Sequence, residues 1–172
     1  SEYFASAFNA IQQLISEGLI LAGHDISAGG MITALLEMNF ANTEGGLEVK
    51  LDKLPEKDLI KILFSENPGV LIQVKDRKAV EKILEEAGVG YAVVGHPCSE
   101  RHILVSKDGA EYLFGIDHLR DVWFSSSYLL DRKQSGEAQA KARFLNYKEQ
   151  PLHYHFGKSF TGKMEQYGIS AD

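Results

Sequence analysis

Cysteine is nearly missing from this 172-residue chain, with Cys98 the one example. A single thiol excludes an internal disulfide framework and fits a reducing, cytoplasmic setting. No apolar run approaches the roughly 18 residues of a membrane span. The amino end, Ser1 to Ala10 (SEYFASAFNA), has neither the basic region nor the apolar core of a signal peptide. An initiator methionine is also lacking, so a piece of a longer polypeptide is expected. Cationic excess is lacking too: 18 Lys and Arg face 24 Asp and Glu, a formal charge of −6. Residues 1–100 hold 8 basic and 15 acidic side chains, and residues 101–172 hold 10 and 9. A nucleic-acid binder needs a basic face to displace counterions, and the acidic front argues against one. A compact anion held through a metal and backbone amides is compatible with it.

What is present is ordinary globular material, 44% hydrophobic and 24% charged, which excludes disordered, collagen-like and low-complexity classes. The length suits one domain with an appendage. Phe4, Ala7, Phe8, Ile11, Leu14 and Ile15 recur at helical spacing, with Gly18 as the stop. Leu19 to Ala22 is wholly apolar and predicts a strand buried on both faces. Met31 to Phe40 predicts a helix with Ser27 as its N-cap. Gly46 to Leu51 alternates like a strand with one wet face, and Lys57 to Phe64 reads as a short helix. Val70 to Val74, Asp76 to Ala87 and Val89 to Val94 then predict a strand, an amphipathic helix and a strand, a right-handed βαβ crossover. Arg101–Val105 and Glu111–Phe114, joined through Asp108-Gly109, predict a hairpin, and Asp117 to Leu130 a last core helix bearing Trp123. The expected fold is α/β (α+β), a mixed β-sheet covered by helices. Residues 131–172, with a modest helix from Glu137 to Tyr147, read as a linker or docking strap.

The stretch from Leu21 to Gly30 (LAGHDISAGG) concentrates the chemistry. A strand ending in His24-Asp25 delivers a carboxylate to the carboxyl edge of a sheet, where open α/β folds place ligands. Ser27, Gly29 and Gly30 follow at a helix start, where free N–H groups and the helix dipole favour an anion. Asp25 offers a hard oxygen to Mg²⁺, which shares substrate phosphates with few protein ligands. The same residues admit a second reading, in which Asp25 and Ser27 are helix caps and His24 a hydrogen-bonded neighbour.

The order of these residues resembles the His-Asp-x-Ser-Asp-Gly-Gly-Leu motif in the second synthetase half of large phosphoribosylformylglycinamidine synthases, also called formylglycinamide ribonucleotide amidotransferases. Leu36-Glu37-Met38-Asn39-Phe40-Ala41 is similar to that family's Leu-Ala-Glu-Met-Ala-Phe-Ala, and Gly69 to Val74 (GVLIQV) to its Leu-Gly-Ala-Val-Ile-Gln-Val strand. The resemblance covers residues 4–130 and implies an aminoimidazole-ribonucleotide-synthetase-like C-terminal domain, with 131–172 a connector toward a glutaminase domain outside this chain. It implies a role in purine biosynthesis, in an enzyme that converts formylglycinamide ribonucleotide, glutamine and ATP to the amidine, glutamate, ADP and phosphate. By the same resemblance Asp25 is a magnesium ligand, Ser27 contacts ATP or ADP and this nucleotide site is auxiliary, with Gly29 and Gly30 expected to bind the nucleotide through the free N–H groups of the helix start. No residue of the chain is assigned a catalytic role, and the chain alone is expected to be inactive. The implied partners are companion synthetase and glutaminase domains of the same polypeptide, with neither nucleic acid nor membrane. Ala28 stands where the family has a second aspartate, and Met31 where it has leucine. The alternatives are a module of a thiamine-phosphate kinase or selenophosphate synthetase relative, and a non-enzymatic interaction domain.

Other candidates point more weakly to chemistry. Glu66 and Asn67 precede a buried strand, as a substrate or interdomain loop or as a turn in which Asn-Pro-Gly serves the backbone. Glu37, mid-helix among apolar neighbours, reads as a surface carboxylate. Cys98 lacks a nucleophile elbow and a histidine base and reads as inert. His153 and His155 have no acidic or thiol partner nearby in sequence and read as tail surface. Basic and aromatic residues interleave from Lys141 to Lys148, but Phe144 and Tyr147 form an i, i+3 pair that predicts docking on another domain.

Overall fold

The structure is a computed structural model that describes residues 2–146, 149, 157, 159 and 161–163. His153, His155, Tyr147 and Lys148 lie outside the described residues. Helices and strands follow the expected order, α1 (Glu2–Ser16), β1 (Ile20–Ile26), α2 (Gly30–Phe40), β2 (Gly46–Lys50), α3 (Leu59–Phe64), β3 (Gly69–Val74), α4 (Arg77–Glu86), β4 (Gly95–Cys98), β5 (His102–Lys107), β6 (Ala110–Gly115), α5 (Ile116–Ser135) and α6 (Glu137–Leu145).

The strands form two sheets. β1 and β3 make an antiparallel ribbon whose register runs from Ile20 opposite Val74 to Ile26 opposite Gly69, with a bulge between Ile20 and Ala22. The second sheet has the order β4-β2-β5-β6. β2 runs parallel to β5 and antiparallel to β4, so this sheet is mixed as expected. The β5–β6 hairpin turns at Asp108 and Gly109, both at positive φ (50° and 81°), the two-residue geometry whose twist matches the flanking strands.

Helical periodicity decides which faces are buried. Met31, Ile32 and Leu35 of α2 and Leu63 of α3 meet Val49, Leu51, Ile103, Val105 and Ile116 in the larger core. Ala10 and Leu14 of α1 pack on Val80 and Leu84 of α4 in a smaller one. The ribbon joins the two, with Ile20, Ile72 and Val74 against the smaller core and Ile26 and Leu71 against the larger. Asp25 therefore sits at the end of the ribbon that abuts the larger core.

Several expectations are corrected. β1 is not buried on both faces along its length: Leu21 is 57% exposed, and Ala22, Gly23 and Asp25 are exposed as well. The βαβ crossover does not form: β3 pairs antiparallel with β1, while the next strand, β4, lies in the other sheet. Val89–Val94 is irregular, and the strand begins at Gly95. A Cβ at position 95 would collide with the Glu48 carbonyl, so the close approach of β4 to β2 is possible only at the glycine. α5 runs on to Ser135, and only Ile116 and Arg120 along it are buried. Trp123, 47% exposed, packs at the margin against Phe40 instead of in the core.

α6 folds back on α5. The buried Arg120 guanidinium lies 4.4 Å from the Phe124 ring centre and donates to the Phe144 carbonyl at 3.1 Å. The Phe144 ring stacks at 4.9 Å on Tyr128, so this aromatic docks on its own chain. Arg143 donates to both carboxylate oxygens of Asp131 and to the Ser135 hydroxyl, which itself donates to Asp131. The hydrogen bonds from Arg143 and then Ser135 hold the Asp131 carboxyl below its ordinary value of 3.8. Because the folded value is the lower one, this corner contributes its stability above pH 3.8 and loses it as pH falls through the folded value. Hydrogen exchange at the α6 amides is expected to quicken selectively below that pH, and Asp131→Asn to abolish the selective effect.

Candidate functional site

Ser27, Gly29, Gly30, Glu66 and Asn67 converge with Asp25 at one mouth, where β1 ends, α2 begins and the α3–β3 loop returns. The register explains the convergence. Ile26 lies opposite Gly69, so the residues just before Gly69 stand beside those just after Ile26. The direct link is a hydrogen bond of 2.9 Å from the Gly29 N–H to the Glu66 carboxylate. Two segments read separately in the sequence are thereby tied across 37 positions.

Ser27 is not the N-cap of α2. That position belongs to Gly29, at φ 83°, and no side chain of the cap residue bonds the helix. A turn separates Ser27 from the helix, and the Ser27 carbonyl accepts from the Gly30 N–H at 3.0 Å. Glu66 supplies the anionic acceptor at the helix start instead, where the dipole favours it. The Ser27 side chain is exposed and takes no part in capping.

Gly30 is buried at φ 73°, and a Cβ there would lie 2.6 Å from the Leu63 carbonyl oxygen and 2.7 Å from the Phe64 Cα. The backbone that approaches this glycine closely is that of α3. Thr33 Oγ1 donates to the Gly29 carbonyl at 3.0 Å, closing the first turn of α2 from the other side.

Asp25 presents its carboxylate outward, 72% exposed, opposite Val70 in the ladder. His24 points to the other face of β1. Its Nδ1 donates to the Asp25 carbonyl at 2.7 Å and lies 3.6 Å from Asp25 Oδ1, while Nε2 faces the Glu37 carboxylate at 3.2 Å. Glu37 is therefore not a surface carboxylate; it is 24% exposed and turned toward β1. No local spacing announces the His24–Glu37 contact, which follows from the packing of β1 on α2.

Among the described residues, no group of three or more His, Cys, Asp or Glu side chains is placed to hold a metal ion. The exposed Asp25 carboxylate offers a hard oxygen at the mouth of the kind that suits Mg²⁺ held chiefly by phosphates and water. Cys98 is part-buried, and desolvation pushes its thiol above the ordinary range, which disfavours the thiolate. A concavity of about 690 Å³ lined by Leu19, Lys75, Arg77 and Lys78 opens at the opposite end of the ribbon and includes none of the mouth residues. No helix among the described residues is long and apolar enough to cross a membrane.

One residue escaped sequence reasoning. Arg101 donates from Nε to Asp117 (3.0 Å), from Nη1 to the carbonyls of Asn39 and Gly45 (both 3.2 Å), and from Nη2 to that of Asn42 (2.7 Å). It thus gathers carbonyls at the C-terminal end of α2, where a cation suits the dipole, and ties them to the start of α5. An arginine at a strand edge carries no local pattern that announces such a role.

Comparison with known proteins agrees with the fold. The family model described as AIR synthase related protein, C-terminal domain, matches residues 5–106. The human phosphoribosylformylglycinamidine synthase is 34% identical over 165 residues, covering 92% of this chain and 12% of the human protein. The probable chloroplastic/mitochondrial synthase of Arabidopsis thaliana is 34% identical over 136 residues, 77% of this chain and 10% of that protein. The chain thus spans about a tenth of the length of these relatives. The solved structure of Thermotoga maritima PurL complexed with FGAR superposes with a TM-score of 0.56 at 25% identity, over 67% of this chain and 20% of that one. With the family model spanning α2 to α4, most of α1, the ribbon and the mouth, the chain belongs to the AIR synthase related C-terminal domain family.

Proposed function

We propose that this chain is a synthetase module of a phosphoribosylformylglycinamidine synthase and contributes one side of a magnesium–nucleotide site. The observation that carries the reading is the 34% identity to the human synthase across 92% of this chain, a span that includes the mouth. The T. maritima PurL of like fold solved with FGAR adds support. On this reading the whole protein is an ATP-dependent C–N ligase of purine biosynthesis, cytoplasmic, that converts formylglycinamide ribonucleotide, glutamine and ATP to formylglycinamidine ribonucleotide, glutamate, ADP and phosphate. Companion synthetase and glutaminase domains of the same polypeptide supply the remaining ligands and the ammonia, and residues 131–172 serve as the connector.

The residues at the mouth fit a bound magnesium ion in one respect: an exposed carboxylate at a strand end, with a hydroxyl two positions on. The ion, when bound, supplies neutralisation of phosphate oxygens. Asp25 would hold it and Ser27 would contact the nucleotide, with the Gly29–Gly30 turn following at the start of α2. Glu66 keeps the loop closed against the Gly29 amide.

The test is Asp25→Asn in the full-length protein. Loss of Mg²⁺–ADP affinity by at least about tenfold, with the fold intact, is expected, since the amide removes the anionic oxygen the cation needs. Unchanged nucleotide occupancy would overturn the metal role. It would favour a second reading, an interaction domain without ligand, which one observation supports. The major tegument protein of Epstein-Barr virus is 34% identical over 116 residues, 64% of this chain, so relatives of this domain also occur in proteins with no synthase name.

A further inference from the structure

We propose that Glu37 is a positioning residue that aims the Asp25 carboxylate by holding His24, an inference that rests on the magnesium–nucleotide reading of the mouth. Side chains alternate across a strand, so His24 and Asp25 leave β1 in different directions, although His24 Nδ1 still comes within 3.6 Å of Asp25 Oδ1. His24 turns toward α2, and its Nε2 meets Glu37 Oε2 at 3.2 Å. Its Nδ1 donates to the carbonyl of the next residue, Asp25, at 2.7 Å. That bond fixes the peptide plane that follows Asp25, and with it the direction in which the Asp25 Cα–Cβ bond leaves the ribbon. The same plane begins the path into Ser27 and the turn at Gly29.

The position needs an anchor. Asp25 lies at the last turn of a two-stranded ribbon, an element of marginal stability by itself, and its side chain is 72% exposed. Packing does not hold it. Glu37 comes from the rigid middle of α2, whose neighbours Ala34 and Leu35 are buried, so it transmits the position of the core to the ribbon end. Carboxylates that never touch a metal commonly orient the groups that do, and their removal costs about 10–100-fold in metal affinity.

Calorimetric titration of the full-length protein with ADP, in Mg²⁺ and in EDTA, tests this with wild type, Asp25→Asn, Glu37→Ala and Glu37→Gln. Glu37→Ala is expected to lose roughly 10–100-fold of the Mg²⁺-dependent gain in affinity, while metal-free ADP binding and the thermal midpoint stay near wild type. Glu37→Gln is expected to restore most of the gain, because its amide meets His24 Nε2 as donor or acceptor. If Asp25→Asn loses the gain but Glu37→Ala keeps it, the positioning role is overturned and the nucleotide reading stands. If wild type itself shows no Mg²⁺-dependent gain, the nucleotide reading falls and this inference with it. Equal losses with and without Mg²⁺ would also overturn the role, since they mark general disruption. Should Glu37→Ala fail to fold, the shorter Glu37→Asp replaces it, with an intermediate loss expected and an unchanged gain overturning the role.

Discussion

Gly30→Ala is expected to lower the thermal unfolding midpoint by roughly 10 °C, through a loss of about 4 kcal/mol. Two costs add at this position. The backbone is left-handed, at φ 73°, which costs an L-residue roughly 1–2 kcal/mol. The new methyl would also press on the Leu63 carbonyl and the Phe64 backbone at 2.6–2.7 Å. Those atoms belong to the end of α3, whose Leu63 is fully packed, so they cannot step aside as a flexible side chain would. Gly29→Ala provides the internal control. Its backbone is equally left-handed, but its added methyl meets the Thr33 side chain, and it is expected to lose less than half as much. Scanning calorimetry of the two variants decides the matter. Equal losses would mean that the α3 backbone yields to the added methyl as readily as the Thr33 side chain does.

Arg101→Ala is expected to cost about 3 kcal/mol, read as a lower urea midpoint with an unchanged slope. The substitution removes donors to Asp117, Asn39, Gly45 and Asn42 together; the bonds to the first three are part-buried, so water replaces them only in part. Arg101→Lys keeps the charge but a single ammonium cannot span a side chain and three carbonyls, so it is expected to recover less than half of the loss. A lysine variant as stable as wild type would show that charge at the helix end, and not the forked geometry, is what matters here.

These two positions mark the limits of what local pattern reveals. The helix starting near Met31 was legible because Met31, Ile32 and Leu35 share a face, and the β5–β6 hairpin because Asp108-Gly109 can take two successive positive φ angles. The motif at His24-Asp25 was legible as a candidate because strand, turn and helix signals abut there. Pairing was not legible. Val70 to Val74 has the composition of a parallel buried strand, yet its partner is decided by which edge lies free 40-odd residues earlier, and it lies antiparallel to β1. Ser27 had the chemistry of an N-cap, but the left-handed turn at Gly29 moved the helix start beyond its reach. The Glu66–Gly29 bond and the Glu37–His24 contact arise only after those pairings bring distant segments together. Sequence therefore named most members of the mouth without their mutual arrangement.

The strand order carries a consequence for how the chain acquires its shape. β1 reaches over β2 to pair with β3, and β2 reaches over β3 to pair with β4 and β5. The two ladders are interleaved along the chain, so neither sheet can assemble from consecutive strands alone. Closing one ladder loops out a strand of the other, and both loop-closure entropies must be met before either core gives its return. The ribbon also lends residues to both cores. Ile20 to Gly115 thus behaves as a single folding unit, in which cutting the chain at almost any loop severs one ladder, and the amides of β1 and β5, in different sheets, should open to exchange in the same cooperative event.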